Sequence, residues 1–232
     1  VIVGVTGGGL DNMAELSRLV MKDGAAGVMV APMPSLQTDA QQRSYFAQVC
    51  KALGPDVPIC LQDYPMTTTV NFSVETLLAI FRDHPQIVML KHEDWPGLTK
   101  LSRMRAETGN AEIPQISILV GNAPLFLPQE LQRGADGAMT GFAYPEMLVK
   151  VVALHKAGDV DGAEDLFDAY LPMVRYEQQL GAGLAIRKEI LHRRGVIGSA
   201  KVRAPGPTLT PRDHDDLTRL MNRLDQKLSE FE

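Results

Sequence analysis

The sequence has little cysteine, no long apolar run and no excess of positive charge. Only two of the 232 residues are cysteines, Cys50 and Cys60. Two cysteines exclude a disulfide framework and are typical of buried thiols in a reducing, cytoplasmic compartment. No apolar run approaches the roughly 18 residues of a membrane span. The net charge of -5 gives no reason to expect nucleic acid or an anionic membrane as a partner.

Several common site signatures are also absent. The five histidines show no metal-ligand spacing, so we expect no metal ion. No G-x-S-x-G sequence occurs, which excludes the nucleophile elbow of α/β-hydrolases. The glycines at positions 7 to 9 lack the G-x-G-x-x-G spacing of dinucleotide-binding loops, and we interpret them as a tight strand-to-helix turn. We therefore expect neither a metal nor an organic cofactor.

What the sequence does contain is a regular alternation of strand and helix patterns. Short apolar runs predict strands at residues 1–5, 27–31, 57–61, 87–91, 116–120 and 137–140. Helical periodicity predicts helices at 11–22, 39–53, 74–81 and 98–107, another that ends near residue 132, and one at 146–157. The strand runs are continuously apolar, which is typical of parallel strands buried on both faces.

Two α/β architectures have this order of elements, an open doubly wound sheet and a (β/α)8 TIM barrel. The absence of a nucleotide-binding fingerprint favours the barrel. Six βα units do not close an eight-stranded barrel, and the chain begins with Val1 rather than methionine. We therefore expect that two βα units are missing before Val1 and that the six strands are strands 3 to 8.

The strand patterns stop after Ala157. Three amphipathic helical patterns follow, at residues 161–180, 182–194 and 212–231. The sequence thus predicts two parts, a TIM-barrel portion at residues 1–157 and a C-terminal α-helical extension at residues 158–232.

The most informative stretch is residues 87–93, in which an apolar run ends directly at Lys91. A lysine at the end of a buried strand is costly unless it is paired or functional. Burial favours the neutral amine, which can attack a ketone and form a Schiff base. The alternative is a lysine that extends from the strand end to solvent.

Strand periodicity places Glu93 on the same face as Lys91 and His92 on the opposite face. A carboxylate beside a lysine is suited to proton transfer in imine chemistry. The spacing alone equally allows Glu93 to be a structural partner of the lysine. The active groups of a barrel lie at the carboxyl ends of its strands. The other candidates at these ends are Thr6, Gln62, Tyr64, Asn122, Thr140, Gly141 and Phe142.

The order and spacing of several motifs resemble one enzyme family. Residues 1–7 are similar to the third barrel strand of that family, Leu90-Lys91 to its Schiff-base strand, and residues 134–141 to its eighth strand and the glycine-rich turn after it. The helical tail is similar to the C-terminal helices of the family. On these motifs the chain resembles the dihydrodipicolinate synthase and N-acetylneuraminate lyase family of Schiff-base aldolases and dehydratases.

This resemblance implies a homo-oligomer, a dimer or tetramer, that acts on a 2-oxo acid through an imine at Lys91. It also implies a loop after the second strand, similar to Gly-Thr-Thr-Gly-Glu, that binds the substrate carboxylate. We expect that loop to be absent here together with the first two βα units.

The chain departs from the lysine-pathway synthases of the family at three places. Gln62 occupies the position, three residues before Pro65, where those enzymes carry a tyrosine that relays protons. Thr67 replaces an arginine, and Met33-Pro34 replaces a pair of tyrosines. Tyr64 directly precedes Pro65 and is not the equivalent of the missing tyrosine. With these replacements the motifs resemble most the branch that contains 2-keto-3-deoxy-arabonate dehydratase.

From this resemblance we expect a lyase that removes water from a 2-keto-3-deoxy sugar acid through an imine at Lys91. Glu93 is the candidate acid and base, Gln62 orients polar groups, and Gly141 contributes a backbone contact. Two alternatives stay open: a retro-aldol lyase or pyruvate-dependent aldolase similar to dihydrodipicolinate synthase, and a barrel without catalysis that serves in binding or regulation.

Overall fold

Six short strands alternate with helices in the N-terminal part of the chain. A computed structural model of the protein describes residues 1–230. The strands are β1 (Ile2–Gly4), β2 (Gly27–Val30), β3 (Ile59–Asp63), β4 (Ile87–His92), β5 (Ser117–Val120) and β6 (Gly137–Ala138). The helices among them are α1 (Leu10–Lys22), α2 (Asp39–Leu53), α3 (Pro65–Thr68), α4 (Val74–Asp83), α5 (Leu98–Glu107) and α6 (Leu127–Gln132).

All neighbouring strands pair in parallel, in the order β1-β2-β3-β4-β5-β6. Parallel crossovers are right-handed, so a sheet that grows in one direction only receives its helices on one face. In agreement, α1 packs on α2, α2 on α4 and α4 on α5. The strand order of a doubly wound sheet reverses at one point, whereas the order of this sheet does not. The prediction that the sheet is not doubly wound is therefore confirmed.

The apolar side chains of the strands form a core on one face of the sheet. Their members that are entirely inaccessible to solvent are Val28, Val30, Ile59, Leu61, Leu90, Ile118 and Val120. Phe46 of α2, Leu77 and Phe81 of α4 and Leu101 of α5 are also buried. Complete burial of one such side chain contributes roughly 1.5–3 kcal/mol, so this face supplies much of the stability.

The expectation that the strands are buried on both faces holds for the consecutive residues Ile59, Cys60 and Leu61 of β3, which are all buried, but not for β4. Val88 in the middle of β4 is 45% exposed, and Met29 and Met89 are partly exposed. The register shifts by one residue between β3 and β4, so that Ile59 pairs with Ile87 but Cys60 pairs with Met89. Val88 is the additional residue at this irregularity, which interrupts the alternation of buried and exposed positions.

Most element boundaries differ from the sequence prediction by one to three residues. Strand β3 begins at Ile59 rather than Val57 and extends to Asp63, and β6 ends at Ala138 rather than Thr140. The short helix α3 was not predicted, because four residues are too few to show an apolar period. Its first residue is Pro65, whose fixed φ suits the first position of a helix.

The chain divides into two compact units. The first contains Val1–Asn122 and Gln129–Met139, and the second contains Ala123–Pro128 and the chain from Thr140 onward. Helices α7 (Pro145–Lys156), α8 (Val160–Glu177), α9 (Gly183–Arg193) and α10 (Pro211–Leu228) belong to the second unit. The predicted end of the last helix, Phe231, lies outside the described residues.

Helix α8 is the centre of the second unit, since α7, α9 and α10 all pack on it. Its buried residues include Phe167, Met173 and Val174. An aromatic cluster of Phe142, Tyr144 and Tyr170 extends this core, with the Phe142 and Tyr144 rings 5.6 Å apart. Within residues 1–230 no helix has the length and apolar character needed to cross a membrane.

Candidate active site

Lys91 lies at the carboxyl end of β4, where its neighbours in the register are Gln62 of β3 and Leu119 of β5. Its side chain is only 14% exposed. The Lys91 Nζ atom lies 3.3 Å from Oε2 of Glu93. The amine therefore does not extend freely into solvent, and its partner is the carboxylate that strand periodicity had placed on the same face.

Glu93 is held from three sides. Its Oε2 accepts a hydrogen bond of 2.6 Å from Nε2 of Gln62, and its Oε1 accepts one of 3.2 Å from the backbone N–H of Asn122. The side chain is 6% exposed. A fixed, buried carboxylate beside a primary amine has the geometry that proton transfer to and from that amine requires.

Gly121 makes room for this carboxylate. A Cβ atom at position 121 would overlap with Cγ and Oε1 of Glu93. The next residue, Asn122, has a φ of 58°, a left-handed conformation in which its N–H points at the carboxylate. The end of β5 is thus shaped to accept the Glu93 side chain.

Tyr64 and Asn122 meet above the ends of the strands. The Tyr64 hydroxyl donates a hydrogen bond of 3.4 Å to Oδ1 of Asn122, and Nδ2 of Asn122 contacts Sδ of Met66 at 3.5 Å. Five of the candidates named from the sequence are therefore joined by contacts within the first unit: Gln62, Tyr64, Lys91, Glu93 and Asn122.

Thr6 is engaged in a different contact. Its Oγ1 accepts a hydrogen bond of 2.8 Å from the backbone N–H of Ala31, which ties the carboxyl ends of β1 and β2 together. The hydrogen bond gives Thr6 a structural role at the strand end. Its role in substrate binding stays a prediction.

The remaining candidates, Thr140, Gly141 and Phe142, belong to the second unit. Phe142 is 5% exposed and packs in the aromatic cluster. The carbonyl oxygen of Gly141 accepts a hydrogen bond of 2.9 Å from Nη2 of Arg187, and a Cβ atom at position 141 would overlap with that guanidinium. Substrate contacts by these three residues stay predictions.

Two residues that fix this segment were missed by the sequence analysis. Glu177 binds Nε of Arg187 through Oε1 and accepts the N–H of Ala143 through Oε2 at 3.0 Å. Burial raises the pKa of Glu177, while the charge of Arg187 opposes that rise. No sequence signal could have found this pair, because its members lie on different helices and bond to a loop more than thirty residues away.

The cysteines do not compete with Lys91 as nucleophiles. Cys60 lies in β3, and burial raises the pKa of its thiol to about 12, although the charge of Lys91 opposes the shift. Burial likewise raises the pKa of Cys50 to about 11. Both thiols are therefore protonated at neutral pH and unreactive. Among residues 1–230 no group of three or more His, Cys, Asp or Glu side chains is arranged to hold a metal ion.

Glu130 on α6 is a buried carboxyl group whose ionised form is disfavoured by its surroundings. Burial raises the pKa of its carboxyl from 4.5 to about 7, and the proximity of His92 opposes the shift. Its Oε2 is enclosed without a hydrogen-bond partner among the described residues. Between pH 4.5 and about pH 7, the folded protein therefore keeps Glu130 protonated to a greater extent than the unfolded chain does.

Folding stability is accordingly expected to fall as the pH rises through this window, and Glu130→Gln should remove that loss. At about pH 8 the variant should be more stable than the natural protein by on the order of 1–3 kcal/mol, and near pH 4 the difference should vanish. Urea unfolding at both pH values measures it, with the exposed Glu15→Gln as the control. An equal effect of Glu130→Gln at both pH values would contradict the assignment.

Known proteins are similar to this chain in sequence over most of its length. No family model matches the chain. An L-2-keto-3-deoxyarabonate dehydratase from Azospirillum brasilense is 30% identical over 207 residues, which are 87% of this chain and 64% of that enzyme. A 4-hydroxy-tetrahydrodipicolinate synthase from Thermus thermophilus is 33% identical over 162 residues, or 68% of this chain and 51% of that enzyme. The chain thus spans less than two thirds of these two relatives.

A solved structure is more similar still. The dihydrodipicolinate synthase from Rhodopseudomonas palustris superimposes with a TM-score of 0.92 at 50% sequence identity, over 96% of this chain and 74% of that one. This identity, over most of both chains, confirms the family that the motifs around Lys91 and Gly141 indicated. The chain belongs to the dihydrodipicolinate synthase and N-acetylneuraminate lyase family.

Proposed function

We propose that the protein is a Schiff-base lyase that removes water from a 2-keto-3-deoxy sugar acid, with Lys91 as the nucleophile. The observation that supports this most is the contact of the Lys91 amine with a Glu93 carboxylate that Gln62 and Asn122 also hold. An amine and a fixed carboxylate at the carboxyl end of one parallel strand, here β4, are the groups that imine chemistry requires.

The proposed reaction begins when the neutral Lys91 amine attacks the 2-oxo carbon. Glu93 is positioned to carry the proton from the amine nitrogen to the former carbonyl oxygen, which restores the carboxylate. The hydroxyl group of this adduct takes a second proton from solvent and leaves as water, which gives a protonated imine. The imine withdraws electrons from C3, so that Glu93 can remove a C3 proton and leave an enamine. The enamine electrons then expel the 4-hydroxyl group, which takes the proton from Glu93 and departs as water. Hydrolysis of the unsaturated imine releases the product and restores Lys91.

The dehydratase is favoured over the lysine-pathway synthase by the residues beside Lys91. Gln62 stands where the synthases carry a proton-relaying tyrosine, and its amide is hydrogen-bonded to Glu93. A carboxamide does not transfer protons at neutral pH, so in this site the proton transfers fall to Glu93. The similarity to the dehydratase from Azospirillum brasilense supports the same choice, whereas the names of the other two relatives support the synthase.

We further propose that the six strands are strands 3 to 8 of a (β/α)8 barrel, with the residues from 158 onward as its C-terminal helical extension. The consecutive strand order and the match to 74% of a solved relative support this assignment. The proposal includes a homo-oligomer, a dimer or tetramer, a cytoplasmic location, and a 2-oxo acid as the small-molecule partner, without nucleic acid, membrane, metal or organic cofactor.

Product analysis with the full chain tests this function. Incubation with a 2-keto-3-deoxy pentonate is expected to give a product that retains all five carbons and has lost one water, as detected by mass spectrometry. Pyruvate and a shorter aldehyde would show the retro-aldol alternative instead. Condensation of pyruvate with aspartate semialdehyde at roughly 10 turnovers per second, a typical enzyme rate, would show the synthase. No turnover and no imine with any 2-oxo acid would favour the barrel that only binds.

A further inference from the structure

A buried cluster of charges lies on the face of β3 and β4 opposite to Lys91. Asp63 is completely buried, and one of its carboxylate oxygens, Oδ2, lies 2.6 Å from Nζ of Lys100 on α5. The same Nζ atom lies 3.0 Å from Oδ2 of Asp94, which follows β4. Lys100 is itself only 10% exposed. No step of the proposed reaction uses this cluster.

The register of the sheet places the cluster directly behind the candidate active site. Gln62 pairs with Lys91, and in the next position Asp63 pairs with His92. Because successive side chains of a strand point to opposite faces, Gln62 and Lys91 face one side while Asp63 and His92 face the other. The two groups are therefore separated only by the backbone of the two strands.

Lys100 connects the two backbone segments that hold Glu93. The Glu93 N–H donates a hydrogen bond of 2.9 Å to the carbonyl oxygen of Asp63, so the residue is tied to β3. Asp94 is the next residue along the chain, and Lys100 binds it and Asp63 at once. The ammonium group thus fixes both the β3 residue that accepts the Glu93 N–H and the residue that follows Glu93, although it lies on the opposite face from the Glu93 carboxylate.

The other charged groups around Lys100 do not replace its charge. His92 has its Nδ1 3.8 Å from Oδ2 of Asp63 and its Nε2 3.0 Å from the carbonyl oxygen of Gly97. Glu130 faces His92 and adds a carboxyl group rather than a cation. Removal of the lysine charge would leave Asp63 and Asp94 to repel each other in a largely dry environment.

We propose that Lys100 is a positioning residue, which holds the segment of Asp63, Glu93 and Asp94 so that the Glu93 carboxylate stays in contact with Lys91 and Gln62. This inference rests on the proposed function, in which Glu93 transfers the C3 proton. Lys100 does not touch the substrate. Its loss should therefore affect proton transfer far more than the formation of the imine, which depends on Lys91.

The test compares two measurements in the full chain with pyruvate as the probe. One is the amount of imine trapped by borohydride, and the other is deuterium incorporation at C3 of pyruvate from heavy water. In Lys100→Met the trapped imine is expected to stay within about threefold of the natural protein, while C3 exchange slows by roughly 10- to 100-fold, the cost of a small misplacement of a reacting group. Lys51→Met, at an exposed position on α2, is the control and should change neither.

Two further variants separate positioning from folding. Lys100→Met combined with Asp63→Asn removes the unpaired buried charge, so stability should recover while C3 exchange stays slow, because Asp94 is still not held. Asp94→Asn weakens only the contact of Lys100 with Asp94, whose side chain is 21% exposed, and should slow exchange by several-fold without unfolding the protein. If exchange recovers together with stability, or is normal in Asp94→Asn and in folded Lys100→Met, the positioning role is refuted. If the natural protein traps no imine at Lys91, the proposed function fails, and this inference fails with it.

Discussion

A protein in which arginine replaces Lys91 is expected to form no Schiff base. Arginine keeps the positive charge near Glu93, but its guanidinium does not lose a proton at accessible pH and cannot attack a carbonyl carbon. Turnover should fall on the order of 10⁶-fold, the scale observed when a covalent nucleophile is removed from an enzyme. The ion pair with Glu93 can be kept, so the fold should persist and thermal unfolding should change little.

Borohydride trapping measures this effect directly. The natural protein is incubated with pyruvate, reduced and digested, and the adduct is expected on the peptide that contains Lys91. Lys91→Arg should give no adduct, whereas Lys51→Met should give the natural amount. An adduct that persists in Lys91→Arg, or that maps to another lysine such as Lys100, would contradict the assignment of the nucleophile.

The sequence was sufficient to predict the parallel α/β fold. Apolar runs of four or five residues that alternate with helical periods are compatible with few folds other than a parallel α/β sheet. The structure confirms each of the six strands and their order. Helices α2 and α5 occupy the predicted residues at both ends. The burial of both sheet faces was not predictable in this way, since apolar composition reports what a strand can bury and not what covers it.

The residues on the Lys91 side of the sheet could also be predicted from the sequence. Period-two alternation placed Lys91 and Glu93 on one face, and the strand-end rule selected Gln62 and Asn122. In a parallel sheet these positions meet when the registers align, as Gln62 and Lys91 do. Their contacts are therefore consequences of local periodicity together with one topological assumption, and their catalytic roles stay predictions.

The residues that support the site from behind the sheet could not be predicted, because their positions depend on helix packing and not on local periodicity. Lys100 and Glu130 lie on helices behind the sheet, and their importance depends on which strand residue each helix position contacts. That choice is set by the rotation and tilt of packed helices, which no motif encodes. On a helical wheel Lys100 is an ordinary polar residue of α5, and only the structure shows it bonded to a completely buried aspartate.

Replacing Glu93 by glutamine is expected to separate the two stages of the proposed reaction. Glutamine has the shape of glutamate, and its carbonyl oxygen can keep the hydrogen bond from the N–H of Asn122. Its NH2 group can donate to the side-chain oxygen of Gln62 once the Gln62 amide is turned over. It cannot accept a proton from C3. The trapped imine should therefore persist at Lys91, while exchange of the C3 protons slows by roughly 10²-fold or more, the usual contribution of a positioned general base.

The alternative role of Glu93, a structural partner of Lys91, predicts the reverse pattern. Loss of the carboxylate would leave the nearly buried ammonium group without its counter-ion and lower the stability of the fold, by an amount that urea unfolding measures. The imine formed by the remaining protein would then exchange its C3 protons at a nearly normal rate. Deuterium incorporation per trapped imine decides between the two roles, because this ratio does not change when part of the protein is unfolded. A normal ratio in Glu93→Gln would remove Glu93 from the mechanism and make Tyr64, whose hydroxyl is bonded to Asn122, the next candidate for proton transfer.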